Sequence, residues 1–212
     1  MLTRLYIDNF RCFVDFEYRP GRTNLILGRN GSGKSSMLDA LLAMRQFVTV
    51  GRTAEDLFPL NQRTRWGRRP DQIFELEATI NGGNYLYQLA IEPSDDPPRP
   101  LVASERIYLD RTPLLEFESG EVQIYNDGES QFTYPLERDR SSLLTVSTEK
   151  KSPIVPFKRW LASVYSFRLN PFSMGLRAEG ENLYPNVNLS NVASWYRCSA
   201  SVGNGEGAPP LR

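Results

Sequence analysis

The chain has 212 residues, with 25 basic and 25 acidic side chains, no histidine and two cysteines. The absence of histidine excludes Ser-His-Asp and Cys-His nucleophiles, histidine-ligated zinc and an imidazole general base. Two cysteines are too few for a disulfide framework or a four-thiolate metal site. A net charge of zero gives no overall attraction for nucleic acid, although it is compatible with a local basic patch.

Alternating apolar residues predict two half-buried strands at the start of the chain. The first contains Leu5 and Ile7, and the second contains Phe16 and Tyr18. Residues 24–27 form a short apolar run of the buried-strand type, which ends at Gly28. Apolar residues at helical spacing then predict a helix over residues 34–48. The predicted order is strand, glycine-rich loop and helix.

The middle third of the chain predicts an antiparallel sheet. Residues 73–81 and 85–92 alternate around Asn81-Gly82-Gly83-Asn84, which is a strong hairpin signal. Further short strands are predicted over residues 105–110, 114–118, 121–126 and 131–134.

Periodicity and composition divide the chain into five predicted segments. They are the strands, loop and first helix (1–50), an arginine-rich loop (51–72), an antiparallel β subdomain (73–136), a helical segment (137–197) and a disordered tail (198–212). No stretch approaches the ~20 apolar residues of a membrane span, and the N-terminus lacks the apolar core of a signal peptide. We therefore expect a cytoplasmic protein that makes no membrane contact.

The glycine-rich loop carries the chemistry. Residues 28–35 fit the G-x-x-x-x-G-K-S pattern of a P-loop, or Walker A motif. Its glycines let backbone N–H groups approach phosphate oxygens, and the following helix directs its N-terminus at the same phosphates. In such loops the lysine, here Lys34, contacts the β- and γ-phosphates, and the hydroxyl of Ser35 ligates Mg²⁺. The predicted ligands are ATP and Mg²⁺, and the predicted contacts are Gly28, Arg29, Asn30, Gly31, Ser32, Gly33, Lys34, Ser35 and Ser36.

The residues around this loop resemble a known family. The segment Ile7-Asp8-Asn9-Phe10-Arg11-Cys12-Phe13, the loop G-R-N-G-S-G-K-S-S and the helix start Met37-Leu38-Asp39-Ala40-Leu41 are similar to the ATP-binding-cassette-like branch of P-loop ATPases. This branch includes RecF, the SMC proteins, the overcoming-lysogenization-defect nucleases and related AAA-family ATPases. The resemblance covers roughly residues 1–48.

The resemblance implies an α/β fold: a P-loop core beside an antiparallel sheet, corresponding to lobe I of an ABC-type ATPase and incomplete. It implies that Lys34 is catalytic and that Arg11 reaches the phosphates. A solvated arginine at a strand end is the alternative for Arg11. It also implies a homodimer that sandwiches ATP, with DNA or a nuclease as a further partner.

Several motifs of such ATPases are not found. Ile107-Tyr108-Leu109-Asp110 faintly resembles a Walker B strand, but Arg111 follows it in place of a catalytic glutamate. Gln62 and Gln72 are both candidates for the glutamine loop, and a switch histidine cannot exist. Two interpretations follow: the N-terminal part of a longer ATPase, which we favour, or a divergent module that binds nucleotide without hydrolysis. A P-loop kinase or GTPase is a third, although the Asn-Lys-x-Asp motif is absent.

The arginine-rich loop leaves two interpretations open. It combines guanidinium groups with an aromatic ring, which suits contact with a nucleic-acid backbone. A solvated loop explains the same composition in a chain that contains many arginines. The residues concerned are Arg63, Arg65, Trp66, Arg68 and Arg69.

Overall fold

The computed structural model divides the chain into two compact units, Met1–Val164 and Tyr165–Arg212. Its described residues form four α-helices: α1 (Lys34–Val50), α2 (Ala54–Leu57), α3 (Ile154–Ala162) and α4 (Val192–Val202). The residues that the structure describes are 1–67, 69–126, 128–146, 152–169, 172, 174, 177–178, 180, 182, 185–186 and 188–202.

The first unit is built on one eight-stranded antiparallel sheet of order β2-β1-β3-β4-β5-β6-β7-β8. A mixed α/β fold with an antiparallel sheet, as the sequence predicted, is therefore confirmed. The strands are β1 (Leu2–Asp8), β2 (Phe16–Tyr18), β3 (Gln72–Ile80), β4 (Gly83–Pro93), β5 (Pro100–Leu109), β6 (Thr112–Glu118), β7 (Glu121–Asn126) and β8 (Glu129–Pro135).

The β3–β4 hairpin turns where the sequence predicted it. Ile80 pairs with Gly83, and the two turn residues between them, Asn81 and Gly82, both have positive φ angles, of 51° and 87°. Two positive φ angles in a two-residue loop define the turn type that matches the twist of the flanking strands. Asparagine and glycine adopt these angles at the lowest steric cost.

One face of the sheet is covered and apolar, while the other is polar. Residues of β3 alternate between buried and half-buried positions, with Phe74 and Leu76 inside. Met44 and Phe47 of α1 are fully buried and belong to the same hydrophobic core. On the polar face the Arg4 guanidinium bonds to carboxylates of neighbouring strands, such as Glu75 at 2.6 Å. Helices α1, α2 and α3 therefore lie on the covered side, and α1 leads from that core to the glycine-rich loop.

The predicted buried strand over residues 24–27 is wrong. The segment belongs to no strand, and the side chains of Leu25 and Leu27 are 84% and 80% exposed. A strand needs a neighbour for its N–H and C=O groups, and β1 and β2 pair only with each other and with β3 among the described residues. An apolar run without such a neighbour stays irregular.

The end of the chain also differs from the prediction. Helix α4 continues through Val202, so the first five positions of the predicted disordered tail, 198–202, are helical. Residues 203–212 lie outside the described residues. Before α4, the predicted helical segment contains a 3₁₀ turn at Ser142–Thr145 and helix α3. Within the described part of the chain, no helix has the length and apolar content that membrane crossing requires.

Candidate functional site

The glycine-rich loop, residues 28–35, folds around the ammonium group of Lys34. The Lys34 Nζ donates to the carbonyl oxygens of Gly28 at 2.6 Å and Arg29 at 2.8 Å, and lies 3.4 Å from the Ser32 hydroxyl. Gly31 and Gly33 hold the left-handed φ angles, 81° and 93°, that the turn requires. The structure thus places the Lys34 ammonium beside the backbone of the predicted contact residues, in one exposed loop.

Helix α1 begins at this loop with its N-terminus open. Its N-cap, Gly33, provides no side-chain hydrogen bond, and its first turn contains no acidic residue. The first intrahelical bond runs from the Met37 N–H to the Gly33 carbonyl at 2.9 Å. The preceding N–H groups of a helix have no partner within it and carry a partial positive charge. Together with Lys34 they form a region that attracts anions, beside the exposed Ser35.

Cys12 and Phe13, in the opening segment of residues 7–13, pack directly against the loop. A Cβ atom added at Gly33 would lie 2.9 Å from the Cys12 Sγ and 3.1 Å from the ring of Phe13. Phe10 and Phe13 are buried in the core and form an isolated β-bridge. The apolar positions of the opening segment therefore anchor it in the core and support the loop from below.

Arg11 lies between the arginine-rich loop and α1. Its backbone has a positive φ of 52°, and its N–H donates to the Gln62 carbonyl at 2.6 Å. The guanidinium donates to the Gln62 Oε1 at 3.2 Å and to the Asp39 carboxylate at 2.5 Å. The resemblance implied that Arg11 reaches the phosphates, but the sequence did not predict its partners within the protein. Its partner Asp39 is a half-buried residue of α1 and carries no local signal of this role.

The two glutamine candidates occupy different environments. Gln62 contacts Arg11, as described above. Gln72 opens β3, is 1% exposed, and its amide atoms lack hydrogen-bond partners among the described residues. Of the two, only Gln62 touches a residue predicted for the nucleotide site.

The faint Walker B segment is part of a hairpin. Residues 107–109 belong to β5, which pairs with β4 and β6 in antiparallel register. Asp110 and Arg111 form the turn into β6, with positive φ angles of 48° and 72°. The Asp110 Oδ1 accepts a hydrogen bond from the Asn84 N–H at 3.0 Å. This aspartate therefore stabilises a turn.

A second polar cluster is buried in the first unit. The Glu105 carboxylate is fully buried and accepts hydrogen bonds from the Tyr87 hydroxyl at 2.7 Å, the Ser141 hydroxyl at 2.6 Å, and the Ser142 N–H and hydroxyl, each at 2.6 Å. Burial raises the pKa of Glu105, while these donors oppose the shift. Burial also lowers the pKa of Lys158, whose ammonium donates to the Leu143 carbonyl. The cluster, named the Glu105 cluster below, fastens residues 141–142 to the sheet.

Comparison with known proteins identifies the family. A family model described as an AAA domain matches residues 4–142, more than half of the chain. The chain belongs to the AAA domain family. The match includes both the glycine-rich loop and the strands β3–β8.

Two curated relatives connect this AAA domain to RecF. The chain is 45% identical over 53 residues to the DNA replication and repair protein RecF of Shewanella sediminis, a match that covers 24% of this chain and 14% of that protein. It is 36% identical over 84 residues to RecF of Shewanella pealeana, covering 39% of this chain and 21% of that protein. The chain is thus an AAA-type ATPase domain of the RecF/SMC-like branch, and its matches span about a fifth or less of the relatives' length.

Proposed function

We propose that this AAA domain binds ATP with Mg²⁺ on the glycine-rich loop, acting as a Walker A motif. It would form lobe I of a RecF/SMC-like ATPase that hydrolyses ATP in its full-length or dimeric form. The observation that carries the proposal is the position of Lys34, whose ammonium crosses an exposed glycine-rich loop at the open N-terminus of a 17-residue helix.

The hydrogen bonds that Lys34 makes to the loop can be replaced by hydrogen bonds to a bound triphosphate. Its present acceptors are neutral carbonyl oxygens of Gly28 and Arg29. These bonds are charge-assisted through the donor alone, whereas a phosphate oxygen also carries negative charge and adds Coulomb attraction to the ammonium. Triphosphate oxygens would therefore compete well for the Lys34 Nζ, while the N–H groups of the loop and of the first turn of α1 would bind the same phosphates.

The residues of this site also fit Mg²⁺. The ion takes oxygen ligands and is commonly held by one or two protein groups together with substrate phosphates. Ser35 offers an exposed hydroxyl at the first turn of α1. Within the described residues, no group of three or more His, Cys, Asp or Glu side chains could hold a metal alone. When bound, the ion neutralises charge on the phosphates.

The exposure of Arg11, Leu25 and Leu27 supports the proposal that this domain acts in a larger assembly. The Arg11 side chain remains 34% exposed while it bonds to Asp39, so a phosphate oxygen can reach it from the solvent side. Leu25 and Leu27 precede the loop and are largely exposed. Burial of such side chains stabilises association. We propose that further polypeptide covers them in an ATP-bound homodimer, with DNA or a nuclease as a further partner.

The proposal predicts that Lys34→Ala weakens binding of MgATP at least about tenfold, because one charged hydrogen bond contributes about 1.5–3 kcal/mol. Isothermal titration of the 212-residue chain measures the affinity. Arg22→Ala, which removes the charge of an exposed arginine outside the loop, is the matched control and should leave it unchanged.

Wild-type affinity in Lys34→Ala would reject the Walker A assignment. Tighter binding of GTP than of ATP would favour a GTPase. ATP turnover by this chain well above background would contradict the requirement for a full-length or dimeric form. Binding without turnover in that form would identify a non-hydrolysing module.

A further inference from the structure

The guanidinium of Arg11 is held beside the first turns of α1, close to the glycine-rich loop. The Asp39 carboxylate, which accepts a hydrogen bond from it at 2.5 Å, lies about one helical turn after Ser35. Residues at this spacing share a face of the helix, and their side chains lean towards its N-terminus. Cys12, which follows Arg11 in the chain, packs against Gly33. The guanidinium therefore lies on the same side of α1 as the Ser35 hydroxyl.

The backbone at Arg11 adopts a conformation that costs free energy. Its φ angle of 52° is in the left-handed region, which residues with a Cβ atom rarely adopt. The Arg11 N–H donates to the Gln62 carbonyl at 2.6 Å, and this bond holds the turn. Such conformations persist where the surroundings fix them, and they are concentrated at functional sites. With the turn in place, the Arg11 side chain reaches Asp39 on α1.

Three contacts fix the orientation of the Arg11 guanidinium. Its Nε donates to the Gln62 Oε1 at 3.2 Å, and its Nη1 donates to the Asp39 carboxylate. Its Cζ lies 5.1 Å from the centre of the ring of Phe10, which is buried. A guanidinium has more N–H donors than these two acceptors take up. The Nη2 makes no hydrogen bond within the part of the chain that the structure describes, so it is available to a ligand.

The segment that carries Gln62 is itself fixed, by the side chain of Asn9. Asn9 is 3% exposed, and its amide nitrogen donates to two carbonyls of the arginine-rich loop, at 2.8 Å and 3.0 Å. Its amide oxygen accepts the Thr64 N–H at 3.0 Å. Buried polar groups with their partners in place hold one conformation. Gln62 therefore offers its two acceptors to Arg11 from a fixed position.

Stability alone does not account for the Arg11–Asp39 pair. The two side chains are 34% and 22% exposed, and ion pairs in contact with water contribute little to folding. A flexible arginine side chain loses rotamer freedom when a ligand immobilises it, which weakens binding. An arginine that is already held in its binding orientation avoids most of this loss. The contacts of Arg11 are those of a group prepared for a ligand.

We propose that Asp39 is a positioning residue of the nucleotide site: together with Gln62 it fixes the Arg11 guanidinium, so that the remaining N–H groups reach a phosphate of bound MgATP. The inference rests on the proposed function, because it concerns how that site is prepared for the triphosphate. Two effects of Asp39 oppose each other. Its negative charge repels the phosphates, whereas its hold on Arg11 favours binding. The hold on Arg11 is the larger effect.

The test is a double-mutant cycle on MgATP affinity, measured by isothermal titration of the full chain. Arg11→Ala removes a charged hydrogen bond and should weaken binding about tenfold or more. Asp39→Ala should weaken it about two- to tenfold, the effect of immobilising one arginine side chain on binding. In the Arg11→Ala background, Asp39→Ala should not weaken binding, because no guanidinium is left to position and only a repulsive charge is removed.

Three outcomes of the cycle would overturn the proposal. Equal weakening by Asp39→Ala in both backgrounds would show a role that does not pass through Arg11. Tighter binding by Asp39→Ala in the wild-type background would show that the carboxylate acts only by repulsion. Unchanged affinity in that background would show that Arg11 keeps its orientation without Asp39.

Two further variants separate positioning from a general effect of charge or folding. Asp39→Glu returns the carboxylate on a longer side chain and should bind MgATP more tightly than Asp39→Ala. Asp56→Ala is the matched control, because Asp56 also pairs with an arginine, Arg52, at 3.6 Å. It should leave the affinity unchanged, and a loss equal to that of Asp39→Ala would overturn the proposal. Each variant is titrated well below its midpoint of thermal unfolding, so that a loss of affinity is not a loss of fold.

Lys34→Ala distinguishes failure of this inference from failure of the proposed function. Loss of affinity in Lys34→Ala together with wild-type affinity in Asp39→Ala would reject the positioning role alone. Wild-type affinity in Lys34→Ala, or no binding of MgATP to the wild type, would reject the Walker A assignment and this inference with it.

Discussion

Lys34 and Glu105 are both ionisable side chains with several hydrogen-bond partners, but Lys34 lies in an open loop whereas Glu105 is buried. The Lys34 ammonium lies in an open loop and bonds to carbonyls no more than six residues away. The Glu105 carboxylate is fully buried, and its serine partners lie 36 and 37 residues away in the chain. The partners of Lys34 are close in the sequence and can be exchanged. The partners of Glu105 are distant in the sequence, and the carboxylate that they bind is buried.

This difference separates the proposed binding site from a structural clamp. An exposed charge can exchange a carbonyl for a ligand oxygen with water as an intermediate partner, so a change of partner costs little free energy. A buried group that loses its partner stays unsatisfied, because water cannot replace it. We therefore expect loss of the Lys34 side chain to affect ligand affinity, and substitutions in the Glu105 cluster to affect the free energy of unfolding.

The largest effect on stability should come from Glu105→Ala. The substitution orphans the Tyr87 hydroxyl, the Ser141 hydroxyl and both donors of Ser142. We expect the free energy of unfolding to fall by about 3–5 kcal/mol, with MgATP affinity unchanged in the fraction that remains folded. Urea denaturation followed by circular dichroism measures the loss.

Glu118→Ala is the control for this substitution. Its carboxylate is 69% exposed and bonds to Arg106 on the surface of the sheet. Exposed ion pairs contribute about 0–1 kcal/mol, so the free energy of unfolding should change by less than about 1 kcal/mol. Similar losses at the two positions would show that burial of the Glu105 cluster does not determine its contribution.

Local signals in the sequence predicted the elements that depend on local chemistry. The β3–β4 hairpin follows from Asn81-Gly82 between alternating strands, and α1 follows from apolar residues at helical spacing after the glycine-rich loop. The strand predicted over residues 24–27 failed because strand formation requires a neighbour that an apolar pattern does not specify.

The contacts that shape the candidate site and the adjoining arginine-rich loop could not be predicted in this way. The Arg11–Asp39 bond joins residues 28 apart, and the Asn9–Thr64 bond joins residues 55 apart. Such pairs depend on how the strands bring distant segments together, and one sequence gives no direct record of this. The loop motif predicted the residues of the proposed nucleotide site, whereas the fold supplied the contacts that hold them.

A smaller effect should distinguish two glycines of the same loop. Gly33 and Gly31 both have positive φ angles, which cost a residue with a Cβ atom about 1–2 kcal/mol. At Gly33 the new methyl group would also meet the Cys12 Sγ at 2.9 Å, while nothing lies within 4 Å of it at Gly31. We expect Gly33→Ala to destabilise the chain by about 2–3 kcal/mol and Gly31→Ala by about 1 kcal/mol. Thermal unfolding compares them, and equal losses would contradict the close packing beneath Gly33.

The last effect is the pH dependence of the Glu105 cluster. Burial raises the pKa of Glu105 above its ordinary value of 4.5, so the unfolded chain ionises first as the pH rises. The stabilising contribution of Glu105 is therefore fully present below pH 4.5. It declines by up to about 1.4 kcal/mol per pH unit until the pH passes the pKa in the folded chain. Over the pH range that begins at about pH 5, this decline should be present in the wild type and absent from Glu105→Gln, which carries no titrating proton.

Urea denaturation across that range provides the measurement, and the difference between the two proteins isolates Glu105 from the other titrating groups. Glu118→Gln, at the exposed position, should keep the pH dependence of the wild type. A wild type that gains stability relative to Glu105→Gln as the pH rises would reverse the sign. In that case the four hydrogen bonds to the carboxylate outweigh its desolvation, and the cluster stabilises the charged form of Glu105.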